Sequence, residues 1–313
     1  MISRRLLRIK VLKSLYAHLT SESDSLMGSE KTLVASIDKT YDLYFQMMSL
    51  IVELAHYAES RQEAAKQKKL PTFEDLNPNR KFVDNAVIRL IATSDAVNDY
   101  LAARKLTWAN NPELIKTLFN QLEQTDYYQK YMTSKESSWK EDMELVTAFY
   151  TNELEESEAL EDVLDEQSIL WNDDLGFALI MVTRTLSNMR SSHTDIKVLP
   201  KFKSWEDLDF ARELFEKAVV NYDSYLAEIE NYTRNWDVER IAYMDNVILV
   251  TAVAELINCP SIPVKVTLDE YIEIAKFYST PGSSTFINGI LDKIVATLTE
   301  EGKIKKSGRG LIQ

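Results

Sequence analysis

Along most of this chain, apolar residues recur three and four positions apart, the spacing that lines one face of an α-helix. Leu6, Ile9, Leu12, Leu15, Tyr16 and Leu19 predict a first helix over residues 3–19. Leu33, Ile37, Tyr41, Tyr44, Phe45, Met48 and Val52 mark a long second helix that fades into charge before Pro71, and residues 71–79 read as a loop. Val83, Val87, Leu90, Ile91, Val97 and Leu101 predict one further helix. Asn111-Pro112 reads as the start of the next, with proline at the first helical position, where its missing N–H is no loss. Ser138 and Glu141 fit a capping box ahead of an acidic helix, and Leu175, Leu179, Val182, Leu186 and Met189 form another pattern. After a loop over residues 191–203, Ser204 and Asp207 open a helix that runs through Leu214, Phe215 and Leu226 to Ile229. Asp237 is placed to cap the following one, which carries Ile241, Val247, Ile248 and Leu256. Thr267 and Glu270 fit a second capping box, and Ser283 a cap for a last helix with Ile290, Leu291, Ile294 and Leu298. The expected fold class is all-α, with no clean internal repeat.

Composition supports that expectation. Only seven of 313 residues are glycine, and neither GxGxxG nor GxxxxGK[ST] occurs, so the usual phosphate-cradling loops are absent. The single cysteine, Cys259, rules out an intramolecular disulfide framework or a cysteine-rich zinc site. No run of about 18 apolar residues is present, and the basic first 20 residues lack the continuous apolar stretch of a signal peptide. The expected location is therefore cytoplasmic.

The net charge of −13 argues at first against a nucleic-acid partner, but its distribution changes that reading. Residues 141–183 hold thirteen acidic side chains, from Glu141 to Asp174, and no lysine or arginine, so this one segment carries the whole imbalance. Both ends are basic. Arg4, Arg5, Arg8, Lys10 and Lys13 lie within an acid-free start, and Lys303, Lys305, Lys306 and Arg309 follow Glu301. A polyanion can bind locally to such ends despite the bulk charge.

Catalytic chemistry finds little support. His18, His56 and His193 offer no pair at ligand spacing. Glu53 and His56 make one half of a di-iron helix motif with no second copy, so an ordinary helix surface is expected there. No metal site and no cofactor are expected. Cys259, beside Pro260, reads as a small apolar filler, because no base is near it in sequence.

Two parts of the chain together resemble the NusB family of transcription antitermination factors. Arg4-Arg5-x-x-Arg8 followed by Leu15-Tyr16 resembles that family's arginine-rich amino terminus and its Leu-Tyr pair. Glu255-Leu256, Ile262-Pro263-x-Lys265-Val266 and Asp269-Glu270-x-Ile272-Glu273-x-Ala275-Lys276 follow the family pattern in order. Phe286-Ile287-Asn288-Gly289-Ile290-Leu291-Asp292-Lys293 closes it. The resemblance implies a helical RNA-binding domain formed by residues 1–20 and 204–300. These would be separated by a helical insertion over residues 21–203, with its acidic segment at 141–183, and followed by a basic tail at 301–313.

The resemblance further implies a binding role. Family members pair with NusE, a small-subunit ribosomal protein, bind boxA-like single-stranded RNA, and act within the RNA polymerase antitermination complex on ribosomal RNA operons; some dimerise. By resemblance, Arg4, Arg5, Arg8, Tyr16, Ser283, Phe286 and Asn288 would contact RNA, and Tyr16 and Asp245 the protein partner. Ser283 and Ser284 would do so at a helix N-terminus, whose free N–H groups favour phosphate. The loop Pro281-Gly282-Ser283-Ser284-Thr285 departs from the family, which often carries charge there. The alternative is a protein-interaction scaffold that has lost RNA binding and docks a basic partner on its acidic insertion. An enzyme would need a cofactor domain that this sequence does not show.

Overall fold

The computed structural model describes residues 1–21, 25–233 and 242–311. Among them are α1 (Arg4–Thr20), α2 (Leu26–Lys66), α3 (Phe73–Leu76), α4 (Ala86–Ala92), α5 (Asp95–Arg104), α6 (Pro112–Gln124), α7 (Asp126–Thr133) and α8 (Trp139–Asn152). They continue with α9 (Glu158–Gln167), α10 (Leu175–Asn188), α11 (Glu206–Val220), α12 (Tyr222–Thr233), α13 (Tyr243–Asn258), α14 (Val264–Tyr278) and α15 (Ser283–Glu300). No strand occurs among the described residues, and none of their helices is long and apolar enough to cross a membrane. The chain divides into two units. A terminal unit combines Ile2–Ile37 with Phe202–Gln313, and a middle unit consists of Met1 and Asp38–Lys201. The 41-residue α2 gives its start, through Ile37, to the terminal unit and its remainder to the middle unit.

In the terminal unit α13 is the core. Val247 to Ala254 are buried on every side, Thr251 included, as an apolar helix must be when others surround it. The hydroxyl of Thr251 is satisfied internally by the carbonyl of Val247 at 2.7 Å. α1, α11, α12, α14 and α15 all pack against α13. In the middle unit α8 packs against α4, α7 and α10. Its Tyr150 hydroxyl donates to the carbonyl of Met47 on α2 at 2.8 Å. Asn85, 1% exposed, caps α4 by accepting from the N–H groups of Val87 and Ile88.

Several local expectations shift. The helix predicted across Val83–Leu101 is two, α4 and α5, because the Ser94 hydroxyl accepts from the N–H of Val97 and starts a new helix. The helix expected from Leu208 to Ile229 breaks at Asn221, and the acidic stretch forms α8 and α9. Residues 71–79 include the short α3, closed by a reciprocal capping box of Thr72 and Asp75. Thr267 and Glu270 do not cap a helix: α14 begins directly after Pro263, and Thr267 lies inside it. Gly282, at φ 92°, precedes α15 in place of Ser283, a left-handed conformation that glycine adopts without steric cost. Asp237 and Ile241 lie outside the described residues.

Candidate nucleic-acid interface

α1 opens with Ser3, whose hydroxyl accepts the N–H of Leu6 at 3.2 Å. Its first two turns aim three arginines at three carboxylates of the terminal unit. Arg4 Nε reaches Asp207 Oδ1 at 3.0 Å, and its guanidinium lies 5.1 Å from the Phe210 ring centroid. Asp207 also accepts the N–H groups of Lys203 and Ser204, both at 3.1 Å, so one carboxylate holds both the entry to α11 and Arg4. Arg5 makes a bidentate pair with Glu270 on α14 at 2.7 and 3.1 Å while its side chain remains 46% exposed. That hydrogen-bonded pairing holds its pKa above the ordinary arginine value.

Arg8, which the resemblance would place in contact with RNA, is turned inward. It is 2% exposed and makes a bidentate pair with the fully buried Glu255 of α13 at 2.7 and 2.8 Å. Burial alone would lower its pKa, yet the Glu255 carboxylate overrides burial and keeps the guanidinium charged. Glu255 also accepts the hydroxyls of Thr267 at 2.8 Å and Tyr271 at 3.2 Å. This is a satisfied buried network, out of reach of a ligand in solution.

The second half of α1 carries different chemistry. The ammonium of Lys13 lies 5.5 Å from the centroid of Tyr278 at the end of α14. Arg5 meets Glu270, and eight residues further along both helices Lys13 meets Tyr278, so the two helices run in the same direction here. Tyr16 is exposed and meets the exposed Tyr243 edge-on, with ring centroids 5.6 Å apart. Tyr16 is therefore a surface residue rather than core. From Arg4 to Tyr16 the helix rises about 18 Å.

Asp245 is not at the surface as expected: it is 3% exposed. Its carboxylate accepts the hydroxyl of Ser279 and, at 3.0 Å, that of Ser283. Ser283 is likewise buried, so its hydroxyl is turned inward rather than offered to a ligand. Together these bonds tie the loop between α14 and α15 to the start of α13. Asn288 is exposed, while Phe286 and Ser284 are partly buried. Lys13 was read only as one cation of the basic end, and Tyr243 was not singled out in the sequence. The one usable signal was Lys13 standing one turn before Tyr16; Tyr243 acquires its role only through packing.

The other sequence features resolve as follows. The basic tail folds back: Lys306 Nζ donates to the carbonyl of Cys259 at 3.0 Å, the N–H of Ser307 donates to that of Pro260 at 3.0 Å, and Lys303 pairs with Glu301 at 2.7 Å. Cys259 is buried, and desolvation pushes its thiol up to about 12, which suppresses the nucleophilic thiolate. In the middle unit nine of the thirteen carboxylates of the acidic segment are exposed. No group of three or more histidine, cysteine, aspartate or glutamate side chains among the described residues is arranged to hold a metal ion.

Residues 180–296 match the NusB family. The match begins within α10 and ends within α15. A 104-residue stretch is 44% identical to the transcription antitermination protein NusB of Salinibacter ruber, covering 33% of this chain and 65% of that protein. The protein of the same name from Chloroherpeton thalassium is 38% identical over 104 residues, which are 33% of this chain and 49% of that one. That of Citrifermentans bemidjiense is 40% identical over 92 residues, 29% of this chain and 63% of that one. The chain thus spans less than two thirds of each of these relatives. No solved structure matches it.

Proposed function

We propose, from the premise that residues 180–296 are a NusB-family domain, that the protein is an RNA-binding transcription antitermination factor. In this reading it binds boxA-like single-stranded RNA together with NusE and acts within the RNA polymerase antitermination complex to promote ribosomal RNA transcription. Its role is binding, not catalysis. The observation that carries the reading is that Arg5 and Tyr16, three turns apart, share one exposed face of α1, with Arg4 and Lys13 to either side of it.

Each residue has a physical task. Arg5 is half in water, and an exposed ion pair is worth only about 0–1 kcal/mol, so a phosphate can replace Glu270 at little cost. Arg4 and Lys13 add charge on either side. Tyr16 offers a ring face to a base, because unpaired bases stack on aromatic side chains. The start of α15, preceded by a glycine with no capping side chain, adds the positive end of a helix dipole, which favours a phosphate, with Phe286 and Asn288 in its first two turns. Arg8 and Asp245 act from within: Arg8 fastens α1 to α13, and Asp245 fixes the loop that presents α15. Tyr16 and Tyr243 also provide a surface for NusE.

The test is fluorescence anisotropy with boxA-like and scrambled single-stranded RNA, with and without NusE. Arg5→Glu is expected to weaken boxA-like binding at least tenfold while leaving helicity by circular dichroism unchanged. Binding by Arg5→Glu and Tyr16→Ala that equals wild type would remove the site assignment.

The exposed carboxylates of the acidic segment favour a second reading, a scaffold that docks a basic partner protein. Deleting the segment is not a clean test, because α8 buries Val146, Phe149 and Tyr150. Neutralising Glu155, Glu156, Glu158 and Glu161 to glutamine is. If these changes released a basic partner and RNA bound nowhere, the scaffold reading would prevail.

A further inference from the structure

Phe277 is 80% exposed on the last turn of α14, and neither the family motifs nor the packing of the terminal unit accounts for it. Its surroundings are charged and aromatic, and they include Glu273, one turn back on the same helix face, which pairs with Lys276. Lys276 precedes it, and Tyr278, which follows it, carries the Lys13 ammonium 5.5 Å from its ring. Tyr16 stands one turn beyond Lys13 on α1 and meets Tyr243, and these two are 39% and 45% exposed. Ser279, two residues after Phe277, donates to Asp245, two residues after Tyr243, which ties the end of α14 to the start of α13. Asp245 also holds Ser283, so the chain leaving Phe277 is pinned at both ends of the loop.

We propose that Phe277 is a stacking platform for an unpaired base of the RNA, extending the strip on α1 across the end of α14. This rests on the RNA-binding reading above. An exposed phenyl ring with no hydrogen-bonding group offers one thing to a ligand, an apolar face. A base can cover that face while its phosphate meets the Lys13 ammonium beside Tyr278, the combination that sequence-tolerant single-strand binders use. An apolar anchor of a protein partner would instead be set among apolar neighbours, and the flanking Lys276 and the Lys13–Tyr278 pair do not provide that setting. A pinned loop lowers the entropy lost when the base settles.

The experiment compares wild type, Phe277→Ala, Phe277→Trp and Arg5→Glu in the full chain. Each is titrated against boxA-like and scrambled single-stranded RNA and against a duplex of the same sequence, at two salt concentrations. Phe277→Ala is expected to bind both single strands about tenfold more weakly, with the salt slope and duplex binding unchanged. Phe277→Trp is expected to restore or exceed wild-type affinity, since a larger ring stacks better. Wild-type affinity in Phe277→Ala, with binding lost in Arg5→Glu, overturns the platform and leaves the RNA reading standing. Equal affinity in all four proteins, or no RNA binding by any, overturns both. Weaker binding of NusE by Phe277→Ala, with RNA affinity intact, assigns the ring to a protein contact and also overturns the proposal.

Discussion

Arg8 and Glu255 are both withdrawn from water, and each depends on the other to remain charged. Removing one partner of a buried pair leaves an uncompensated charge, which typically costs about 3–5 kcal/mol. Arg8→Ala is therefore expected to lose stability of that order in urea unfolding, and Arg8→Ala with Glu255→Ala to lose less than the sum of the two single changes. Arg5, two-pronged on Glu270 yet half exposed, is expected to change stability by under about 1 kcal/mol when replaced by glutamine. The two arginines stand three residues apart in one motif, and the sequence treats them alike. Which of them faces water is set by the rotation of α1 against α13, and that rotation is fixed by Leu7, Val11 and Leu15 being buried rather than by the arginines. A cost for Arg8→Ala no larger than for Arg5→Gln would refute this division of roles.

At the scale of elements, long apolar periodicity located the helices and short polar signatures misplaced their ends. Ser3, Asn111-Pro112 and Ser138 do stand at helix starts. Thr267 and Glu270 have the right spacing for a capping box, but Glu255 and Arg5, distant in sequence, compete for their side chains and win. The breaks at Ser94 and Asn221 leave the apolar spacing nearly intact on both sides, so periodicity cannot reveal them. The tail is the clearest case of an element decided by packing. Four cations after Glu301 read as a basic tail to which a polyanion can bind, yet Gly310 is buried. A Cβ added there would stand 2.0 Å from the carbonyl oxygen of Pro260. Gly310→Ala is expected to lower the unfolding midpoint, by an amount equivalent to about 1–3 kcal/mol for an overpacked site. Thermal unfolding by circular dichroism measures it, and an unchanged midpoint would mean that the strap carries no stability.

For the whole molecule, charge is segregated rather than averaged. The acidic segment lies in the middle unit and the α1 strip in the terminal unit, so a net charge of −13 does not forbid a polyanion ligand. Binding through three or four phosphates predicts a slope of roughly −2 to −3 in log affinity against log salt for a single strand. A slope near zero would place the binding energy outside the cationic strip. The sequence by itself determined the all-α class, the resemblance to the family that residues 180–296 match and the position of the basic helix, because periodicity, glycine scarcity and ordered motifs are local properties of the chain. Only the tertiary structure decided that Arg8, Asp245 and Ser283 are internal, that the basic tail is fastened down, that Tyr16 meets Tyr243, and that Phe277 stands exposed. Burial and pairing depend on which residues, remote in sequence, arrive alongside, and no local pattern encodes that.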